Sequence, residues 1–153
     1  MFSRLKKLLV DTDKLKLFVG IGNVLHCDDG VGVYIVQKLN ENQNIRVLNA
    51  EISIENYIGK INEINPDILI LIDSVFFNQP PGYCQFIPVE KLIDFTTNTH
   101  NISLRKIREF FHTQVFILGI QPSMVSFGEG LSAPVQRKAN LIVKVINTTF
   151  SCL

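Results

Sequence analysis

Three polar residues far apart in the chain, Asp29, Asp73 and His100, fall at or just after positions where apolar runs end. Two carboxylates and one imidazole form an oxygen/nitrogen donor set suited to a divalent first-row ion, with positions left open for water or substrate. The chemistry such a set performs is metal-assisted hydrolysis. Asp28 competes with Asp29 for the first place. One of the two acids is expected to cap the following helix while the other faces a crevice, and the sequence leaves both assignments open. Glu51 and Glu55 flank the end of the next apolar run and read as helix-start acids favoured by the dipole. His26 and Cys27 are adjacent, a poor arrangement for chelating one ion, and read as structural.

Other chemistries find less support. Gly20-Ile21-Gly22 opens like a dinucleotide-binding turn, but Asn23-Val24-Leu25 follows and the third glycine of G-x-G-x-x-G is missing. Asp28 and Asp29 would also set two negative charges near a pyrophosphate. Ser53, Ser74, Ser103 and Ser126 lack a G-x-S-x-G context, and Cys27, Cys84 and Cys152 lack a recognisable pairing with histidine.

The elements that must position these residues follow from the hydrophobic pattern. Residues 15–20 read as a buried strand, and Val31, Val33, Ile35, Val36 and Leu39 fit a helix. The stretch from Phe18 to Gly32 is therefore a strand–turn–helix junction, with four glycines and the two acids in one turn. Residues 45–50 read as a second strand, and Ser53 as the cap of an amphipathic helix that ends at Asn65-Pro66. The continuous run from Ile68 to Ile72, closed by Asp73, signals a strand buried on both faces at the centre of a sheet. Residues 83–89 read as an edge or antiparallel strand, followed by a short helical segment, and residues 96–101 as a polar loop. Ser103 is expected to cap a helix carrying Leu104, Ile107, Phe110 and Phe111, 115–120 is a further buried strand, and 134–150 a final helix. Alternation of this kind gives a three-layer α/β sandwich: a mostly parallel sheet of about five strands with helices on both faces. At 153 residues the chain fits one domain, with 1–14 as an N-terminal extension whose basic residues suggest a solvated, frayed end.

Composition narrows the classes. Hydrophobic residues form 46% of the chain and charged ones 19%, which excludes a disordered protein. A net charge of +1 gives no case for nucleic acid. Apolar runs fall short of the roughly 20 residues of a membrane span, and an odd number of cysteines without a leader points to a cytoplasmic protein with reduced thiols.

Five segments in order, Gly20-Ile21-Gly22-Asn23, Asp28-Asp29-Gly30-Val31-Gly32, Ile72-Asp73-Ser74, Thr99-His100-Asn101-Ile102-Ser103-Leu104 and Leu118-Gly119-Ile120-Gln121-Pro122, resemble those of the hydrogenase maturation endopeptidases. The resemblance implies a cytoplasmic endopeptidase that removes the C-terminal extension of a nickel-iron hydrogenase large-subunit precursor after nickel insertion. The family's metal-contacting residues map onto Asp29, Asp73 and His100. Nickel would arrive with the precursor, other divalent ions could occupy the site in vitro, and neither nucleic acid nor membrane insertion is implied. Cys27 stands where many relatives carry glycine. The reading from another class is a non-catalytic nickel-sensing or small-ligand-binding α/β module.

Overall fold

Ile68–Ser74 forms the central strand of the sheet, β3, with Ile68 to Asp73 all buried. A computed structural model describes residues 2–93 and 104–149. The expected polar loop 96–101, with His100, lies outside these residues, as do Ser103 and Cys152. Around β3 the sheet is completed by β1 (Lys16–Ile21), β2 (Ile45–Glu51), β4 (Cys84–Pro88) and β5 (Gln114–Ile120), in the order β2-β1-β3-β5-β4. All neighbours are parallel except β4, which runs antiparallel to β5 at the edge, as its sequence suggested. Pro88, which cannot donate to a ladder, ends that edge strand.

Alternate residues of each strand feed two separate cores. Phe18, Ile70, Ile72 and Leu118 point toward α1 (Phe2–Leu9), α2 (Val31–Val36) and α5 (Ala133–Thr149). Leu17, Val19, Leu69, Leu71 and Ile117 point toward α3 (Ile58–Ile64) and α4 (Leu104–Ile107). The expected three-layer α/β sandwich is the observed architecture.

Four local expectations need correction. The N-terminal segment is helical from Phe2 to Leu9, and Leu5 and Leu9 are fully buried against the α5 side of the core. Among its basic residues Arg4 contributes to this seat, its guanidinium lying 5.3 Å from the centre of the Phe116 ring. Ser53 makes no capping bond, because the chain enters α3 through a 3-10 turn at Ile54–Tyr57. Phe110 is exposed, since a 3-10 turn at Arg108–Phe110 breaks the helical period and only Phe111 of the pair is buried. The helix after the glycine turn is also shorter than its pattern suggested, because Cys27–Gly30 is a 3-10 turn before α2.

At the start of β1, the Lys16 side chain is fully buried and its ammonium donates to the Asp11 carbonyl beyond the end of α1. Burial pushes the Lys16 pKa below its ordinary value, partly offset by the nearby Asp11 carboxylate.

Candidate active site

In the order β2-β1-β3-β5-β4, the chain passes from β1 to β2 on one side, and β3 begins the strands on the other. This reversal falls between β1 and β3, and open α/β sheets place ligands beyond the carboxyl ends of the strands at such a point. Asp29 follows β1, and Asp73 is the penultimate residue of β3. The two acids therefore lie at the carboxyl ends of neighbouring strands.

Two glycines allow that approach. A Cβ on Gly32 would stand 2.1 Å from the Ile72 carbonyl oxygen and 2.4 Å from that of Ile21, so only a residue without a side chain lets α2 begin directly over β1 and β3. Gly22, at φ +140°, takes a backbone conformation that side chains disfavour, and a Cβ there would meet the Asp29 carbonyl oxygen at 1.8 Å.

Asp29 is 8% exposed and Asp73 1%. The backbone N–H of Asn23 donates to Asp29 Oδ2 at 3.0 Å, closing the turn on itself. Ser74 ties the pair together: its hydroxyl donates to Asp29 Oδ1 at 3.0 Å, and its backbone N–H donates to Asp73 Oδ1 at 2.8 Å. Sequence reasoning weighed Ser74 only as a nucleophile and missed this role, because a serine after a strand-end aspartate carries no such signal until the neighbouring strand's loop is placed beside it.

The choice between the adjacent acids is resolved by their hydrogen bonds. Asp28 is fully buried, and its carboxylate is taken up by the loop after β5. Oδ2 accepts from the Ser123 N–H at 2.8 Å, the Met124 N–H at 3.0 Å and the Ser132 hydroxyl at 2.7 Å, while Oδ1 accepts from the Ser132 N–H at 2.7 Å. Asp28 is therefore a brace between two distant loops, and its side chain caps no helix. Each Asp29 oxygen accepts one bond, and a carboxylate oxygen has two lone-pair sites, so Asp29 retains acceptor capacity toward the crevice.

His26 and Cys27 brace the same junction, in keeping with their structural reading. The Cys27 N–H donates to the Gly128 carbonyl at 2.8 Å, and the His26 ring meets Phe127 edge-on at 6.4 Å. Cys27 sits at φ +51°, the left-handed region that favours glycine. Glu51 ends β2 at φ +53° and contributes its carbonyl, which accepts from the Gly22 N–H at 2.7 Å; it is a strand-end residue, not a helix-start acid. Glu55 lies in the first turn of the 3-10 segment before α3, where an acid was expected.

Two anionic oxygen donors drawn to one serine suit a hard or borderline divalent cation. Among the described residues no group of three or more His, Cys, Asp and Glu side chains is placed to hold a metal. The pair alone is thus an incomplete ligand set, and His100 lies outside the described residues.

Fold and crevice define an α/β protein with paired acids at the switch point of its sheet. Residues 33–149 match the family model HycI, described as hydrogenase maturation protease, and the chain belongs to this family. It is accordingly a hydrolase acting on peptide bonds, and the reading as a non-catalytic module is set aside. The matched span includes Asp73 and begins after Asp29. Hydrogenase 3 maturation protease of Escherichia coli is 28% identical over 122 residues, covering 76% of this chain and 78% of that protein. A Methanocaldococcus jannaschii protein provisionally named as a hydrogenase maturation protease is 27% identical over 164 aligned positions, covering 93% of this chain and 96% of its own length. The crystal structure of the [NiFe] hydrogenase maturation protease HycI from Thermococcus kodakarensis has the same fold, with a TM-score of 0.82 at 24% identity over 97% of this chain and 99% of that one. Among the described residues no helix is long and apolar enough to cross a membrane.

Proposed function

We propose that this protease removes the C-terminal extension of a nickel-iron hydrogenase large-subunit precursor in the cytoplasm, and that it acts after nickel has been inserted. The single observation supporting this reading is the meeting of Asp29 and Asp73 at Ser74, which puts two carboxylates at the crevice with part of a coordination shell still to be filled. In this reading Asp29, Asp73 and His100 receive the ion that the precursor carries. Ser74 and the Asn23 N–H fix the Asp29 carboxylate in one orientation, so little ordering remains when substrate arrives. Near-complete burial of Asp73 keeps water from competing for its oxygens. When bound, nickel supplies Lewis acidity toward the peptide bond to be cut.

The test is incubation of nickel-loaded and nickel-free precursor with the protein, followed by mass spectrometry. A small mass loss in the loaded form alone is expected; cleavage of neither form, or of both equally, refutes the reading. Asp29→Asn, Asp73→Asn and His100→Ala should each abolish processing while the fold is retained, and full processing by any of them removes that residue from the site. Freshly purified protein should bind divalent ions weakly, and tight stoichiometric zinc would count against recognition of a metal carried by the substrate.

A further inference from the structure

We infer that the exposed apolar rim formed by Val24, Leu25, Met124 and Phe127 is where the precursor docks, through an apolar stretch beside the bond to be cut; this rests on the function proposed above. The four side chains are 50%, 45%, 53% and 83% exposed. Isolated exposed apolar residues such as Val10 and Leu141 need no explanation, but these four come from two loops that are stitched to each other. The Gly128 N–H donates to the Leu25 carbonyl at 2.8 Å, and the Cys27 N–H donates to the Gly128 carbonyl at 2.8 Å. The Asp28 N–H donates to the Met124 carbonyl at 2.9 Å, and the Asp28 carboxylate accepts from the Met124 N–H in return.

Two features make the rim a docking surface. It is continuous with the catalytic mouth, since Val24 and Leu25 lie inside the turn that the Asn23 N–H closes onto Asp29 Oδ2. The rim thus begins in the same turn that holds Asp29, and apolar side chains on an arriving polypeptide complement what it presents. The backbone under Met124 and Phe127 is also fixed, although Phe127 packs little surface against its own chain. An aromatic has only two side-chain torsions to order, so on a hydrogen-bonded loop it serves as an anchor at low entropic cost. On the β2 side a groove of about 280 Å³, lined by Val24, Leu25 and Ile52 among others, continues the apolar surface.

The test uses the full chain and nickel-loaded precursor under steady-state conditions. Phe127→Ser and Met124→Ser should each raise KM by about 10- to 30-fold with kcat changed by less than about twofold, the signature of lost uniform binding. Phe127→Leu should restore most of the affinity, and Leu141→Ser, on the outer face of α5, should behave as wild type. Unchanged KM in both serine variants, or a fall in kcat with KM constant, overturns the assignment while leaving the proposed function standing. Self-association of the wild type that Phe127→Ser abolishes without changing KM would assign the rim to a second copy of the chain and likewise overturn it. If the wild type neither binds nor cleaves the precursor, the proposed function and the docking surface both fall.

Discussion

Replacing Asp28 by asparagine keeps the side chain's shape while turning one acceptor oxygen into an NH2 group. Oδ2 accepts three bonds and Oδ1 one, so the amide oxygen is expected to take the Oδ2 place and leave the NH2 facing the Ser132 N–H, donor against donor. A hydrogen bond to a charged group contributes about 1.5–3 kcal/mol, and the three that survive weaken as the charge is lost. A net loss of about 2–4 kcal/mol follows, or a fall in Tm of roughly 6–12 °C for a chain of this length. Relief from burying a charge acts in the opposite direction. Urea denaturation followed by circular dichroism measures the balance: the midpoint should drop with the m-value unchanged. A midpoint equal to or above that of the wild type would show that desolvation outweighs the four bonds and would refute the bracing role.

Leu9→Ala, which empties a fully buried position under α1, should cost about 2–5 kcal/mol in the same assay; a change below 0.5 kcal/mol, the usual bound for a surface site, would mean the N-terminal helix is not part of the core. Gly32→Ala forces a Cβ against two backbone carbonyls and should cost at least about 4 kcal/mol or prevent folding, whereas a soluble variant of wild-type stability would contradict the close approach of α2 to β1 and β3. Burial holds the Cys84 thiol above its ordinary pKa of 9.0, so iodoacetamide at pH 8 should modify Cys27 and spare Cys84 until urea is added, as read by peptide mapping. Because the folded-state pKa is the higher one, this thiol's contribution to stability is full below about pH 9 and is lost as pH rises through the folded value; Cys84→Ala should flatten part of the fall in stability above about pH 9.

The sheet was legible in the sequence because its strands are nearly uniform apolar runs. Ile68 to Ile72, a continuous β-branched and leucine run ending at Asp73, read as a strand covered on both faces. The places of Asp29 and Asp73 followed from where such runs end. What separates Asp28 from Asp29 was not legible, since the deciding donors belong to Ser123, Met124 and Ser132, more than ninety residues downstream. The N-terminal helix was missed because its charged residues outweigh Leu5 and Leu9 in composition, and only the tertiary seat against α5 reveals them as core. Ser53 illustrates the limit of local rules: a residue of capping type precedes a helical segment, yet the 3-10 geometry leaves it without a capping bond.

The separation of 95 to 104 residues between Asp28 and its four donors also has a consequence for the order of events during translation. A chain emerging from the ribosome has its acidic turn early, but the groups that lock it arrive only when Ser132 has been added. The turn and the loop after β5 can therefore be locked only together, once Ser132 is present.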